Sequence, residues 1–282
     1  MPLASGCRSF SDKNTRRGEI GKIIVVGCFK RRDNVAMTIP VELLQRLAAA
    51  KSVTVLTGAG VSAESGVPTF RDAQTGLWAK YSPEELATPS AFLRDPRLVW
   101  EWYQWRRKLV ADAKPNPAHV ALVEMESRFP QFDLITQNVD GLHQLAGSRN
   151  VIELHGNIAR TKCFKENTVV STWEETGDVP PKCPACGGLL RPDVVWFDES
   201  LPEHEIQKAT TASANCDVFL SIGTSTVVYP AAGLPSKALQ SGATLVEMNL
   251  YPTPFTAQAT FVLPGPTGLV LPELLKALSH NA

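Results

Sequence analysis

Short apolar runs alternate with helical patterns along most of the chain. Six runs have the length and nearly continuous apolar character of strands that are buried on both faces of a parallel sheet. They cover residues 53–56, 133–136, 151–154, 217–222, 244–248 and 261–263. Apolar residues recur at helical spacing between several of these runs, as at residues 117–128 and 229–241. This alternation predicts an α/β protein whose main domain is built on a doubly wound parallel sheet.

One segment, residues 160–192, does not follow this alternation. It is rich in Lys, Glu, Thr, Gly and Pro, and it carries three of the six cysteines of the chain. We therefore predict a small module here, inserted into a larger domain that consists of residues 37–159 and 193–282.

Residues 1–36 differ in composition from the rest of the chain. They are rich in Lys and Arg, and the basic residues at 30–32 follow the short apolar stretch at residues 20–29. A secretory signal has the opposite order, with its basic residues in front of the apolar stretch. We expect a disordered extension, or a start assigned too far upstream with Met37 as the true start. Composition alone also allows a mitochondrial transit peptide.

The charges of the chain balance, with 28 Lys and Arg against 28 Asp and Glu. A chain without net charge gives no electrostatic argument for nucleic acid or an anionic membrane surface, and we predict neither as a partner. No apolar run reaches about 18 residues, so the sequence predicts no membrane-spanning helix. Six cysteines are too few for a disulfide scaffold at this length. The pair Cys183 and Cys186 forms a CxxC motif, which indicates metal or redox chemistry in a reducing compartment and favours a cytoplasmic location.

A glycine-rich turn follows the first predicted strand. Residues 58–63 read Gly-Ala-Gly-Val-Ser-Ala, which is the G-x-G-x-x-A form. Such glycines let the backbone approach a pyrophosphate, and the next helix offers free N–H groups at its N-terminus. A plain tight turn is the alternative, but the position directly after a first strand favours nucleotide binding. The acidic residue that dehydrogenases carry about 20 residues further on is not evident, which argues against ordinary hydride transfer.

Polar residues follow the carboxyl ends of four further predicted strands. Ligands of open α/β sheets bind beyond these ends, which lie on one edge of the sheet. The residues concerned are Gln137, Asn138, Asp140, His155, Gly223, Thr224, Ser225 and Asn249. A single Asn or Thr at a strand end is usually a turn former, but four such ends on one edge indicate a binding site. His155 follows its strand directly, whereas the other four histidines lie in helical or loop patterns.

Together and in this order, these motifs resemble those of the sirtuins, which are NAD-dependent protein lysine deacylases. The resemblance extends from about residue 41 to residue 278. It implies a Rossmann-like NAD-binding domain with a small zinc-ribbon-like module, and a cleft between them for acylated-lysine proteins or peptides. It also implies that NAD is consumed, with nicotinamide and O-acyl-ADP-ribose as products. Tyr103 and Arg106 make the class III sirtuins, the desuccinylase and demalonylase type, the most similar group.

The resemblance assigns roles to individual residues. His155 matches the general base of the family, and an imidazole with a pKa of about 6.5 suits that task at neutral pH. The implied NAD contacts are Gly58, Ala59, Gly60, Ser62, Ala63, Phe70, Arg71, Gln137, Asn138, Asp140, Gly223, Thr224, Ser225, Asn249 and Thr267. The implied contacts of the acyl-peptide substrate are Ala87, Tyr103, Arg106, Val195 and Phe197.

The expected acyl preference depends on one predicted helix, residues 95–113. Its predicted apolar stripe consists of Leu98, Trp102, Trp105 and Leu109. Tyr103 and Arg106 are three residues apart and share a face at the edge of this stripe. From there a phenol and a guanidinium can reach one carboxylate, such as that of a malonyl or succinyl group. The alternative is a boundary tyrosine and a surface arginine whose head group is solvated.

The sequence departs from the sirtuin pattern at two positions. The implied zinc ligands are Cys163, Cys183 and Cys186, with Glu166 as the fourth where the family has cysteine. Zinc accepts a carboxylate oxygen, so a mixed site completed by Glu166 and loss of the metal both stay open. We predict that zinc binds more weakly than at a four-cysteine site. The second departure is Asp198, which replaces the usual glycine in the segment expected to pair with the peptide.

Two other functions are compatible with the same residues. An NAD-dependent ADP-ribosyltransferase would use the same ribosyl-transfer chemistry. A non-catalytic sensor of NAD or acyl peptides would have lost its activity through the changes at residues 166 and 198. The joint presence of His155, Asn138 and Asp140 argues against the sensor. The sequence predicts neither the protein targets nor the oligomeric state.

Overall fold

The computed structural model describes residues 23–24, 38–68 and 81–280. Its strands are β1 (Ile23–Ile24), β2 (Ser52–Thr57), β3 (Gln131–Thr136), β4 (Val151–Glu153), β5 (Gly156–Cys163), β6 (Leu190–Val194), β7 (Val218–Ile222), β8 (Thr244–Asn249) and β9 (Phe261–Pro264). Its α-helices are α1 (Val41–Ala49), α2 (Ala59–Ser62), α3 (Pro83–Leu86), α4 (Pro89–Arg94), α5 (Pro96–Ala111), α6 (Pro117–Glu126), α7 (Leu142–Ala146), α8 (Glu203–Asn215), α9 (Leu234–Gln240) and α10 (Thr267–His280). None of these described helices is long and apolar enough to cross a membrane.

The main domain is built on a seven-stranded sheet with the order β1-β9-β8-β7-β2-β3-β4. Each neighbouring pair of strands is parallel. Val53 and Val55 of β2 pack in a core with residues of α1, α6 and α10, whereas Leu56 packs with residues of α8 and α9 on the opposite face. Helices therefore cover both faces, which explains the nearly continuous apolar strands. The predicted doubly wound α/β fold is confirmed.

The strand order reverses at β2, which places a ligand crevice in this sheet. From β2 the chain adds β3 and β4 on one side, and it later adds β7, β8 and β9 on the other. In open α/β sheets, ligands bind at such a switch point, beyond the carboxyl ends of the strands. The loops after β2, β3, β7 and β8 all meet at this edge, so the topology gathers the strand-end residues.

A second, two-stranded antiparallel sheet consists of β5 and β6, which lie at the two ends of the predicted module, residues 160–192. Cys163 ends β5, and Cys183 and Cys186 lie shortly before β6. Arg107 of α5 donates from Nε to the Ile158 carbonyl at 2.6 Å and from Nη2 to the Arg160 carbonyl at 2.7 Å. These bonds anchor α5 to β5 and so fix the position of the side chains that α5 presents.

Helix α5 packs three of the four residues of the predicted stripe, Leu98, Trp102 and Trp105, into one buried cluster. Its buried residues are Val99, Trp100, Trp102 and Tyr103. Leu109, which was predicted on the stripe, is 36% exposed, so the prediction is wrong at this residue. The reason is that α5 packs between two neighbours. Trp102 and Tyr103 contact the cluster around Ala87, while Trp100 contacts the module through the cluster that contains Cys163.

The N-terminal segment is described at β1 alone, which pairs in parallel with β9 at the edge of the sheet. The other positions of residues 1–36 lie outside the described residues. That this segment is dispensable stays a prediction, to be checked by comparing the stability and NAD turnover of a chain starting at Met37 with those of the full chain.

Candidate active site

Two glycine-containing turns, one after β2 and one after β7, pack directly against each other at the switch point. The Gly60 N–H donates to the Gly223 carbonyl at 2.8 Å. A Cβ atom on Gly60 would lie 2.7 Å from that oxygen, and one on Gly223 would lie 2.6 Å from the nitrogen of Val61. Gly223 also has a φ of 59°, in the left-handed region that favours glycine. The close approach of the two backbones thus requires both glycines, and it places the predicted nucleotide turn, residues 58–63, at the ligand-binding edge.

Thr224 joins the ends of three strands. It follows β7, and its hydroxyl accepts a hydrogen bond from Gln137 Nε2, after β3, at 2.8 Å. Its carbonyl accepts one from Asn249 Nδ2, at the end of β8, at 3.1 Å. The structure therefore brings together three residues that the sequence predicts as cofactor contacts, with Gly223 and Ser225 on either side of Thr224. Hydroxyl and carboxamide groups of this kind can hydrogen-bond ribose and phosphate oxygens.

Asn138 and Asp140 follow β3 and are held by the glycine turn and by α7. Asn138 Nδ2 donates to the Gly58 carbonyl and to the Ser62 hydroxyl, at 3.1 Å each. Because these bonds use both amide hydrogens, the carboxamide oxygen is the atom that Asn138 can offer to a ligand. Asp140 Oδ1 accepts a hydrogen bond from the Leu142 N–H at 2.9 Å. Both residues are thus fixed by the backbone around them.

A buried polar layer beneath Asn138, which the sequence analysis missed, supports this edge. Thr136 Oγ1 accepts from the Asn138 N–H at 3.0 Å and lies 2.9 Å from Thr57 Oγ1. Thr57 Oγ1 in turn lies 3.0 Å from His143 Nε2. Burial lowers the pKa of His143 to about 3, so its ring is neutral. The sequence contained one sign of this layer, since the neighbouring strands β2 and β3 each end in a threonine, Thr57 and Thr136.

The far side of the glycine turn is braced by two other polar residues. Asn116 Nδ2 donates to the Val61 carbonyl at 2.7 Å. Thr267, predicted as an NAD contact, is buried, and its hydroxyl donates to Glu64 Oε1 at 3.2 Å. Thr267 therefore lies beside the turn but is already bonded within the chain. The predicted contacts that lie outside the described residues are Phe70 and Arg71.

His155 lies between β4 and β5 with one ring nitrogen fixed. Its Nδ1 is 2.9 Å from the backbone carbonyl of Gln137. A carbonyl only accepts, so Nδ1 carries the hydrogen and Nε2 carries the lone pair in the neutral ring. Burial lowers the pKa of His155, although the bond to Gln137 opposes this shift. The neutral form at physiological pH, with Nε2 able to take a proton, is what a general base requires.

The direction of this pKa shift predicts the pH dependence of the activity. If His155 is the general base, as predicted, the neutral ring is the active form, and activity should be lost as pH falls through the lowered pKa of His155. We expect the acid limb of kcat/KM to have its midpoint below 6.5, the ordinary value for histidine. The measurement is kcat/KM between about pH 5 and pH 8, with circular dichroism as a control for unfolding. A midpoint at or above the ordinary value, in protein that stays folded, would contradict the assignment.

A three-residue segment after β6 connects His155 to Ala87. The Val195 N–H donates to the His155 carbonyl, and the Phe197 N–H donates to the Ala87 carbonyl, at 2.9 Å each. Val195 and Phe197 are predicted peptide contacts, and their N–H groups are already used. A peptide that pairs with these two residues must therefore bond to their carbonyl oxygens.

Tyr103 and Arg106 lie on α5, and Tyr103 contacts this segment through Trp196. Tyr103 is 2% exposed, and its hydroxyl accepts a hydrogen bond from Trp196 Nε1 at 3.0 Å. The Arg106 guanidinium lies 5.2 Å from the centroid of the Trp102 ring. Burial raises the pKa of Tyr103 and lowers that of Arg106. The phenol is therefore neutral, whereas a guanidinium keeps its proton in proteins. The two predicted acyl contacts thus combine a neutral donor with a cation.

Asp198 adopts the conformation that explains why glycine is usual at this position. Its φ is 68°, in the left-handed region. Aspartate is among the few residues with a side chain that adopt this region readily. The residue is exposed, so the substitution adds a negative charge to the segment after β6 without burying it.

Three cysteines of the small module form a compact cluster. The sulfur atoms of Cys163, Cys183 and Cys186 all lie within 4.8 Å of one another. Three thiolates at this spacing suit zinc, which takes sulfur ligands in tetrahedral sites. The Glu166 carboxylate lies outside this group of ligand atoms; its side chain is 48% exposed and its Oε1 is 3.6 Å from Lys165 Nζ. Within the described residues, the donor set that fits zinc is therefore three thiolates.

This arrangement predicts a zinc site that is weaker than one with four cysteines. Wild-type protein should lose zinc to a chelator faster than the Glu166→Cys variant, because the variant supplies the missing soft ligand. Glu166→Ala should behave like wild type, since the carboxylate lies outside the cluster. Metal analysis of protein purified without added zinc, before and after chelation, measures both effects. One tightly held zinc per wild-type chain would contradict the prediction, and its loss in Glu166→Ala would identify Glu166 as a ligand.

The fold and these contacts together define a class of protein. A doubly wound sheet with a nucleotide-type glycine turn, strand-end carboxamides and a histidine poised as a base indicates a nucleotide-dependent enzyme. Comparison with known families then gives the particular one. The model of the Sir2 family matches residues 58–230, and the chain belongs to the Sir2 family, as its sirtuin-like motifs predict.

Individual relatives agree with this family. The chain is 52% identical over 235 residues to NAD-dependent protein deacylase 2 of Pyrobaculum aerophilum, which covers 83% of this chain and 94% of that protein. It is similar to the crystal structure of a Sir2 homologue in complex with NAD, with a TM-score of 0.80, 46% identity, and coverage of 86% of this chain and 95% of that one. It is also similar to a Sir2 structure with a p53 peptide and NAD+, with a TM-score of 0.76, 33% identity, and coverage of 85% and 98%.

Proposed function

We propose that this Sir2 family enzyme, an NAD-dependent protein deacylase, prefers lysine acyl groups that end in a carboxylate, namely succinyl and malonyl. Its substrates are acylated-lysine proteins or peptides, and its products are nicotinamide and O-acyl-ADP-ribose. Relatives named NAD-dependent protein deacylases, at 52% and 49% identity, support the deacylase activity. The Sir2 neighbour that holds a p53 peptide and NAD+ supports a peptide substrate.

The observation that carries the acyl preference is the connection between His155 and the Tyr103 hydroxyl of α5. Residues 195–197 bond through their backbone to His155 at one end and to Ala87 at the other. Between them, Trp196 bonds to the Tyr103 hydroxyl. In our proposal the acyl carbonyl lies near His155, and the acyl chain extends past Ala87, whose small side chain leaves room for it, toward Tyr103.

His155 and Asn138 perform separate tasks in this proposal. NAD, when bound, supplies a ribose that releases nicotinamide and accepts the acyl oxygen. His155 Nε2 takes a proton from a ribose hydroxyl, while Nδ1 keeps its bond to the Gln137 carbonyl and so stabilises the charged ring. Asn138 presents its carboxamide oxygen to the nicotinamide end. Its rigid bonds to the glycine turn keep that oxygen in place without reorganisation.

Tyr103 and Arg106 suit a carboxylate for different physical reasons. The Arg106 guanidinium is charged and partly desolvated beside Trp102, so its attraction to an anion is stronger than it would be in water. The Tyr103 phenol is neutral and buried, so it can donate a hydrogen bond but carries no opposing charge. An acetyl group has no acceptor at that depth, and it leaves both donors without a substrate partner.

The proposal is tested with one peptide carrying different acyl groups on the same lysine. Succinyl-lysine should have a higher kcat/KM than acetyl-lysine. Its kcat/KM should also be higher than that of succinamyl-lysine, which has the same length but a neutral carboxamide in place of the carboxylate. This matched pair separates charge from size. Equal kcat/KM values for succinyl- and succinamyl-lysine would contradict the carboxylate preference while leaving deacylase activity intact.

A further inference from the structure

We infer that Trp196 is a positioning residue that sets the preference for carboxylate-bearing acyl groups by orienting the Tyr103 hydroxyl. The inference rests on the proposed function, because it concerns how the acyl carboxylate is recognised. Trp196 was not among the residues that the sequence predicts for the site. The structure places it in the buried cluster that contains Ala87, Phe92 and Tyr103.

The hydrogen bond between these residues has a fixed direction. An indole N–H can only donate, so the Tyr103 oxygen accepts this bond at 3.0 Å. A phenol oxygen that already accepts a hydrogen bond has its own hydrogen left for another acceptor. The contact with Trp196 therefore commits the Tyr103 hydroxyl to act as a donor, and a substrate carboxylate can only accept. Without the indole N–H, the hydroxyl could rotate and accept a bond instead.

The phenol also keeps its proton. Burial is the largest influence on Tyr103 and raises its pKa, while the nearby Arg106 lowers it to a smaller extent. The hydroxyl is therefore neutral at physiological pH, as a hydrogen-bond donor must be. Trp196 polarises this O–H further, because a bond donated to an oxygen strengthens the bond that the same group donates onward.

The indole ring of Trp196 is itself held rigidly. The Arg191 guanidinium lies 3.2 Å from the ring centroid, and Arg191 is paired with Glu199 through bonds of 2.5 and 2.9 Å. Glu199 also accepts the backbone N–H of Trp196 at 2.8 Å. Trp196 and Tyr103 are each 2% exposed. This clamp fixes the direction of the indole N–H before substrate binds, so little ordering is required on binding.

Substitution of a single atom tests the inference. Incorporation of benzothienylalanine at residue 196 replaces the indole N–H by sulfur and keeps the size and aromatic character of the ring. Loss of one hydrogen bond should lower the ratio of kcat/KM for succinyl-lysine over acetyl-lysine by roughly two- to tenfold. The Trp196→Phe variant should lower the same ratio. A residue that only supports the fold would lower both values in parallel and leave the ratio unchanged.

A double-mutant cycle shows whether Trp196 acts through Tyr103. In a Tyr103→Phe background, benzothienylalanine at residue 196 should have no further effect on the succinyl-to-acetyl ratio, because the hydroxyl that it orients is gone. Phe92→Leu is the matched control. The Phe92 ring lies 5.3 Å from that of Trp196 but has no hydrogen-bond donor. Phe92→Leu should therefore change kcat/KM for both peptides by the same factor.

The outcomes separate this inference from the proposed function. If wild type prefers succinyl-lysine and Arg106→Met removes that preference, while benzothienylalanine at residue 196 keeps it, only the role of Trp196 is overturned. If benzothienylalanine at residue 196 lowers kcat/KM equally for both peptides and leaves their ratio unchanged, the role of Trp196 is overturned as well. The same holds if this substitution lowers the ratio as much in the Tyr103→Phe background as in wild type. If wild type itself shows no succinyl preference, the proposed acyl specificity is overturned, and the inference is overturned with it.

Discussion

His155→Ala should lower kcat for deacylation by about 100- to 10,000-fold, which is the typical contribution of a general base. The reason is that Nε2 is the proton-accepting atom, while Nδ1 is engaged with the Gln137 carbonyl at 2.9 Å. NAD binding should largely survive, because the glycine turn and the contacts of Thr224 do not involve the imidazole. The measurements are single-turnover deacylation of an acyl-peptide and NAD affinity by calorimetry.

A second histidine provides the control for this prediction. His204 lies on α8 with a side chain that is 68% exposed, so His204→Ala should leave both quantities unchanged. Near-wild-type turnover in His155→Ala would show that His155 is structural and would remove the base from the mechanism. Loss of NAD affinity and of turnover together would indicate a role in the fold of the site.

Arg106→Met should lower kcat/KM for succinyl-lysine by roughly 10- to 100-fold. A charge-assisted hydrogen bond contributes about 1.5–3 kcal/mol, and each 1.4 kcal/mol is a factor of about ten. The loss can exceed this range, since the substrate carboxylate is then buried without its cationic partner. Acetyl-lysine makes no such bond, so its kcat/KM should fall only slightly in Arg106→Met. Tyr103→Phe should lower kcat/KM for succinyl-lysine less than Arg106→Met does, because it removes only one neutral donor.

The same helix offers a matched control for Arg106. Arg97 lies near the start of α5, and its exposed side chain pairs with Glu101 at 2.8 Å. Arg97→Met should leave kcat/KM for both substrates unchanged, because exposed ion pairs of this kind contribute little to stability. Parallel losses on succinyl- and acetyl-lysine in Arg106→Met would show that Arg106 supports the fold or NAD binding. The acyl preference would then be wrong while the deacylase activity stood.

The sheet could be predicted from the sequence because its strands are buried on both faces. β2 and β7 are buried along their whole lengths, and strands of this kind stand out in a sequence as short, mainly apolar runs. Parallel topology then places the strand ends on one edge. For this reason Gln137, Thr224 and Asn249 could be grouped before their contacts were known.

The contacts that join distant parts of the chain could not be predicted in this way. Trp196 bonds to Tyr103 across 93 positions, and Thr57 contacts His143 across 86. No local pattern specifies such pairs, because they follow from how α5 and α7 dock on the sheets. The prediction that Leu109 is buried was wrong for a related reason. An apolar stripe predicts which face of a helix is buried against one neighbour, whereas α5 packs between two.

The most direct test of the account is the identity of the product. The full chain is incubated with NAD and a succinyl-lysine peptide, and the reaction is followed by mass spectrometry. We predict unmodified lysine peptide, nicotinamide and O-succinyl-ADP-ribose in equal amounts, because the acyl group is transferred to the ribose. ADP-ribosylated protein in place of O-succinyl-ADP-ribose would identify a transferase, and the absence of NAD turnover would identify a sensor. Either result would contradict the account.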